Sequence, residues 1–183
     1  PAEYALLAAP LGGWKQRHPE LVLTGPACID FEYPYVAACL RNLPAGLSLD
    51  ALSHHLYVDR RGPPEAFQGR FDTVRKLALA RAVASGSGRC APRVIISEVN
   101  WPLLGTGEWS PVTSPYDTPG IVRRNDPSVC EDDYADYMLR YLLCTLCSGM
   151  AERVYWWRLA ARGYGLVDDS DPARWRARGA RSG

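Results

Sequence analysis

The chain of 183 residues has almost no net charge, no long apolar run and no second C-x-x-C, and each absence removes a class of function. Its 21 basic and 20 acidic side chains leave a formal charge of +1, so no field favours nucleic acid or an anionic membrane. No apolar stretch approaches the ~20 residues that span a bilayer. The opening "PAEYALLAAPLGG" carries neither a basic leader nor a clear cleavage site, so no signal peptide is visible. The six cysteines are irregularly spaced, and a chain of this length does not need a disulfide framework. Cys144 and Cys147 form a C-x-x-C, but a zinc site would need a second pair at similar spacing. A redox C-x-x-C normally opens a helix, whereas this one falls late in a helix-like stretch, so both are expected as small core residues. No G-x-G-x-x-G follows a strand-like segment, which removes the usual dinucleotide cradle. His54, His55 and Asp59 come nearest to a metal cluster, but adjacent histidines on a strand diverge, so no metal is expected.

What is present is an alternation of helical and strand patterns. "EYALLAAPLGGWKQRHP" reads as the end of a helix broken at Pro10 or at Gly12-Gly13. "ELVLTGPA" reads as a short strand closed by Gly25-Pro26. "YPYVAACLRNLP" places Val36, Cys39 and Leu40 on one helical face, and "SLDALSHHLYVD" reads as a second strand. Residues 63–88 predict a long helix with Phe71, Val74, Leu77 and Ala78 at helical spacing and Gly86 as its stop. "RVIISEV" is a third strand, apolar on both faces. "EDDYADYMLRYLLCTLCSGM" is a helix with acids in its first turn, where the helix dipole favours them, and "ERVYWWRLA" is a fourth strand. Strands separated by helices imply right-handed βαβ crossovers and a parallel sheet. Two forms satisfy that pattern: an open doubly wound sheet, or part of a (β/α)8 barrel. A whole barrel takes ~250 residues, so this length offers about half of one. With no repeat and no low-complexity linker, residues 1–183 are expected to form a single domain.

In parallel α/β architecture the ligand side lies at the C-terminal strand ends. Reading those ends collects Asp30 and Glu32, then His54, His55, Tyr57 and Asp59, then Glu98, Asn100 and Trp101, then Trp156, Trp157 and Arg158. Sugars suit this mixture, since they present hydroxyls at the ring edge and C–H groups on the faces. The two-residue strand period puts His55 and Tyr57 on one face and turns His54 toward the helices. A Tyr57 donor would hold a neighbouring carboxylate ionised. Trp156 and Trp157 point oppositely, with Trp156 preferred for a sugar subsite and the other packed under helices.

These segments resemble the C-terminal half of clan A glycoside hydrolases, nearest to the family 39 xylosidase- and iduronidase-like enzymes. "DALSHHLYVD" looks like their sixth strand, "VIISEVNW" their seventh, "LVLTGPA" their fifth, and "ERVYWWRL" with "GYGLVD" their eighth. The resemblance covers roughly residues 20–168. It implies a parallel (β/α)8 barrel of TIM type, of which this chain supplies strands five to eight. It implies retaining hydrolysis of a glycosidic bond with Glu98 as nucleophile, no cofactor, and a carbohydrate substrate bound by His55, Tyr57, Asn100, Trp101 and Trp156. The family's acid/base is the Glu of an Asn-Glu pair ending the fourth strand, and this chain contains no such pair. The acid half is therefore expected upstream of Pro1, and the fragment is expected to be inactive alone. It is also expected to associate with another copy or with the missing half. The rival reading is a non-catalytic carbohydrate-binding or interaction domain derived from such a barrel.

Residues 99–130 are rich in proline and glycine, and Trp109 and Tyr116 there suggest a stretch that covers substrate. The tail, residues 169–183, carries Arg174, Arg176, Arg178 and Arg181 without an aromatic platform and reads as a flexible end.

Overall fold

The computed structural model describes residues 1–29, 32–58, 62–104, 128–161, 163–169, 171, 173 and 176–177. These residues form an α/β fold around one four-stranded sheet. Its strands are β1 (Cys28–Ile29), β2 (Leu52–His55), β3 (Val94–Val99) and β4 (Ala151–Trp156), in that order across the sheet. All three pairings are parallel. The helices are α1 (Ala2–Arg17), α2 (Tyr33–Arg41), α3 (Thr73–Ser87) and α4 (Glu131–Cys147). They pack in sequence as well, α1 on α2, α2 on α3 and α3 on α4.

The core lies between this helical layer and one face of the sheet. Leu52, Val94 and Ile96 point into it from the strands and are fully buried, as are Val36, Leu40 and Leu77 from the helices. Each such side chain contributes about 1.5–3 kcal/mol by leaving water. The other face carries Ser53, His55, Ile95, Arg153 and Tyr155, in keeping with the two-residue alternation along each strand. Tyr155 is half exposed there, and Ile29 at the β1 edge is nearly so.

Local chemistry explains where elements start and stop, and where the sequence patterns mislead. α3 begins ten residues later than the expected start at residue 63, because Gln68 and Phe71 exchange backbone hydrogen bonds of 2.8 and 3.1 Å in a tight turn. Asp72 then caps the helix, accepting from the Arg75 amide at 2.7 Å. Its stop is Gly88 at φ 63°, a left-handed position suited to glycine, rather than Gly86. The buried stripe of α3 is Thr73, Lys76, Leu77, Ala80 and Ala84, so Ala78 is left on the surface. α1 runs unbroken through Pro10 and Gly12-Gly13. Loss of one N–H at Pro10 removes a single bond, and the flanking turns hold the helix together. Its Leu6 and Leu7 are exposed.

The first strand is shorter and later than "ELVLTGPA" suggests. Only Thr24 bridges Ala51 before Pro26, which has no N–H to give, and the ladder resumes at Cys28. Asp50 ties this loose edge to β2. Its carboxylate accepts from the Leu23 amide at 2.8 Å and from Lys15 of α1 at 3.0 Å. At the far end of the chain, β5 (Val167–Asp168) and β6 (Arg176–Ala177) form an antiparallel pair. Within the expected tail, Arg176–Ala177 thus takes its backbone partners from Val167–Asp168, and most of the other residues of 169–183 lie outside the described residues.

Partial burial works against the Asp50 charge, but the Leu23 amide and the Lys15 ammonium outweigh it and hold the carboxyl below its usual range. A depressed carboxyl stabilises the fold above the unfolded-state value near pH ~4 and loses that contribution as pH falls through the folded value. Asp50→Asn is thus expected to lower stability by about 1 kcal/mol at neutral pH. Urea unfolding at pH 7 and at pH 3 should show the gap between variant and wild type narrowing in acid; an equal gap at both would refute the role given to its charge.

Candidate functional site

The C-terminal ends of β2 and β3 meet at Glu98. The register between these strands runs Leu52 to Val94, Ser53 to Ile95 and His54 to Ile96, and then His55 pairs with Glu98. One extra residue in β3 is accommodated as a bulge. Its effect is that consecutive residues, Ser97 and Glu98, both reach partners on the face away from the helices. Ser97 pairs with the Ser53 hydroxyl at 2.8 Å, and Glu98 turns to His55 and Tyr57.

The Tyr57 hydroxyl donates to Glu98 Oε1. His55 Nδ1 lies 3.7 Å from Glu98 Oε2, beyond hydrogen-bond distance. His55 Nδ1 is itself buried and makes no hydrogen bond among the described residues. The side chains of His55 and Glu98 are each 21% exposed, so the carboxylate can be reached from solvent while its Tyr57 partner is sealed at 1%. A carboxylate with one oxygen held by a buried phenol and the other facing an imidazole can act as nucleophile, base or anchor for a hydroxyl or cation.

The structure brings together Glu98, His55 and Tyr57, and places the remaining predicted residues differently. Asn100 is buried and works inward: its side-chain amide donates to the Trp157 carbonyl at 2.6 Å, tying the end of β3 to the end of β4. Trp101 does not present its ring to a substrate. It is fully buried in the helical layer, stacked on Trp156 at 5.7 Å and edge-on to Tyr137 and Tyr141 of α4, with its indole N–H on the Gly62 carbonyl at 3.0 Å. Trp156 follows it inward and donates to the Tyr134 hydroxyl at 2.7 Å. Of the two tryptophans, Trp156, the one preferred for a sugar subsite, is the one that packs under the helices. Trp157 turns to the other side, stacked on Tyr164 at 5.0 Å with the Arg158 guanidinium over its ring. The Trp157–Arg158 peptide there is cis.

His54 packs in the helical layer as expected, fully buried and stacked on Tyr33 of α2 at 5.3 Å. Cys144 is half-buried and Cys147 exposed, contrary to a core role, because α4 buries Tyr134, Tyr141 and Thr145 instead. Cys144 and Cys147 are both free thiols. Among the described residues no cluster of three His, Cys, Asp or Glu side chains could hold a metal ion, and no helix is long and apolar enough to cross a membrane. Asp30, Asp59, Trp109 and Tyr116 lie outside the described residues, and so does most of the proline- and glycine-rich stretch after Glu98 expected to cover substrate. Two participants escaped sequence reading altogether. Lys76 of α3 donates to the Tyr57 carbonyl at 3.1 Å, and Tyr141 of α4 donates to the Leu56 carbonyl at 2.6 Å. A lysine inside a helical stripe and a tyrosine among helix aromatics give no sign of such targets.

Comparison with known proteins yields no match to a family model, to a curated protein or to a solved structure.

Proposed function

We propose that this chain carries the nucleophile half of a retaining glycoside hydrolase, built on strands five to eight of a parallel (β/α)8 barrel like those of clan A and its family 39. The observation that carries the reading is the Tyr57–Glu98–His55 arrangement at the C-terminal end of a parallel strand. The strand order supports the architecture. A doubly wound sheet reverses direction at a switch point, whereas these four strands run in sequence order with successive helices packed side by side.

On this reading Glu98 attacks the anomeric carbon. A bond forms between that carbon and a carboxylate oxygen, and the bond to the leaving oxygen breaks with its electron pair. Oε2 is the attacking atom, since Oε1 is engaged by the Tyr57 hydroxyl. His55, its side chain 21% exposed, lines the same rim beside the reacting centre. Water then cleaves the glycosyl ester. Leaving-group protonation needs a second carboxyl ~5–5.5 Å from Glu98, which we assign to a segment other than this chain. A non-catalytic carbohydrate-binding domain is the competing reading, favoured by the absence of an Asn-Glu pair from the sequence.

The two separate on substrates whose leaving group departs without a proton. Glycosides whose leaving group needs a proton should stay uncleaved by the chain alone, whereas across a panel of dinitrophenyl glycosides, which need none, it should accelerate release of dinitrophenolate from at least one. Glu98→Gln should reduce that rate by about 10⁴-fold or more while circular dichroism stays unchanged. A folded Gln variant with full activity would remove Glu98 from the nucleophile role. Background rates throughout, with sugar binding intact in calorimetry, would establish the binding domain instead.

The sheet face bearing His55 and the edges at β1 and β4 are, on the same reading, covered by further βα units. Unpaired strand edges invite association, so the isolated chain is expected to sediment as a dimer or larger at micromolar concentration. A monomer with cooperative unfolding would favour an open sheet.

A further inference from the structure

We infer that Lys76 and Tyr141 are positioning residues for Glu98, acting from the helical layer through the backbone that carries Tyr57. The chain leaves the β2 ladder after His55, and the next two carbonyls are met by side chains instead of by a strand. Tyr141 of α4 donates to the Leu56 carbonyl at 2.6 Å, and the Lys76 ammonium of α3 donates to the Tyr57 carbonyl at 3.1 Å. Both donors are buried, Tyr141 completely and Lys76 to within 2%. The hydroxyl of Tyr33 in turn donates to the Lys76 carbonyl at 3.0 Å and steadies the helix turn that holds the lysine.

The consequence is geometric. A tyrosine ring is a rigid lever with two side-chain torsions, so the place of its hydroxyl follows the place of its backbone. With the carbonyls on either side of the Tyr57 Cα–N bond pinned to two different helices, the Tyr57 hydroxyl is delivered to Glu98 Oε1. Burying an ammonium is unfavourable unless it is hydrogen-bonded, and an apolar side chain of similar length would fill the same space without that cost. To that volume Lys76 adds a directed hydrogen bond on the Tyr57 carbonyl. The inference rests on the proposed function only in taking Glu98 as the working carboxylate; the path from helix to carboxylate does not depend on turnover.

A hydroxyl proton donated to a carboxylate and sealed from water gives a downfield, slowly exchanging proton resonance, which nuclear magnetic resonance of the whole chain can follow without substrate. Tyr57→Phe identifies the resonance by deleting it. Lys76→Met keeps the stem and removes the donor, and is expected to speed exchange of that proton by about tenfold, the equivalent of one net hydrogen bond. Tyr141→Phe, which changes no shape, is expected to act in the same direction and serves if the Met variant does not fold. Unchanged exchange in either folded variant would overturn the inference, as would the lack of any such resonance in the wild-type chain. A chain that hydrolyses no glycoside would leave these results standing, so the two proposals fail separately.

Discussion

The parallel register of β2 on β3, and the one-residue slip at its end, is the constraint on which the site depends. Up to Ile96 the two strands alternate in step, with Leu52, His54, Val94 and Ile96 locked into the helical layer. Those buried side chains fix the phase, because a shift of one residue would turn the whole apolar set toward the open face. The bulge then departs from that phase only at Ser97–Glu98. It delivers a carboxylate to the face where His55 and Tyr57 stand, and it does so at the strand end, after the apolar set has been satisfied.

From that point the structure divides aromatic and polar residues between two sides. Val99 returns to the buried side, and Trp101 and Trp156 follow it into a cluster with Tyr134, Tyr137 and Tyr141. These rings bury large areas and find partners for their polar atoms, which suits them to joining α4 to the ends of β3 and β4. Trp157 and Tyr164 remain on the other side. Asn100 spans the two by holding the Trp157 carbonyl. The same α4 that anchors Trp101 also reaches the Leu56 carbonyl through Tyr141, so packing under the sheet and geometry at the rim share one element.

Much of this was legible in the sequence where a single period dominates. β3 is a run of apolar residues long enough to be read directly, α2 shows its buried face, and α4 shows the acids of its first turn. That Glu98, Tyr57 and His55 gather at one rim was legible from the strand ends; which of them bond to one another was not. What was not legible are events that depend on two segments at once. The bulge is a mismatch between β2 and β3 and leaves no mark in either. Trp101 reads as a rim residue by its place after Glu98, yet aromatic partners on α4, some tens of residues later, draw it inward. The long helix expected from residue 63 was an apolar pattern interrupted by a turn whose hydrogen bonds run between backbone groups, invisible to side-chain periodicity.

The central claim is that Glu98 is a nucleophile held ready by Tyr57, and covalent trapping tests it most directly. A 2-deoxy-2-fluoro glycoside with a dinitrophenolate leaving group needs no acid to form the glycosyl ester and resists its hydrolysis. Peptide mass spectrometry of the treated chain should find the added fluorosugar on Glu98, with none in Glu98→Gln and slower labelling in Tyr57→Phe. A sugar attached to another carboxylate, or equal labelling of the Gln variant, would contradict the account.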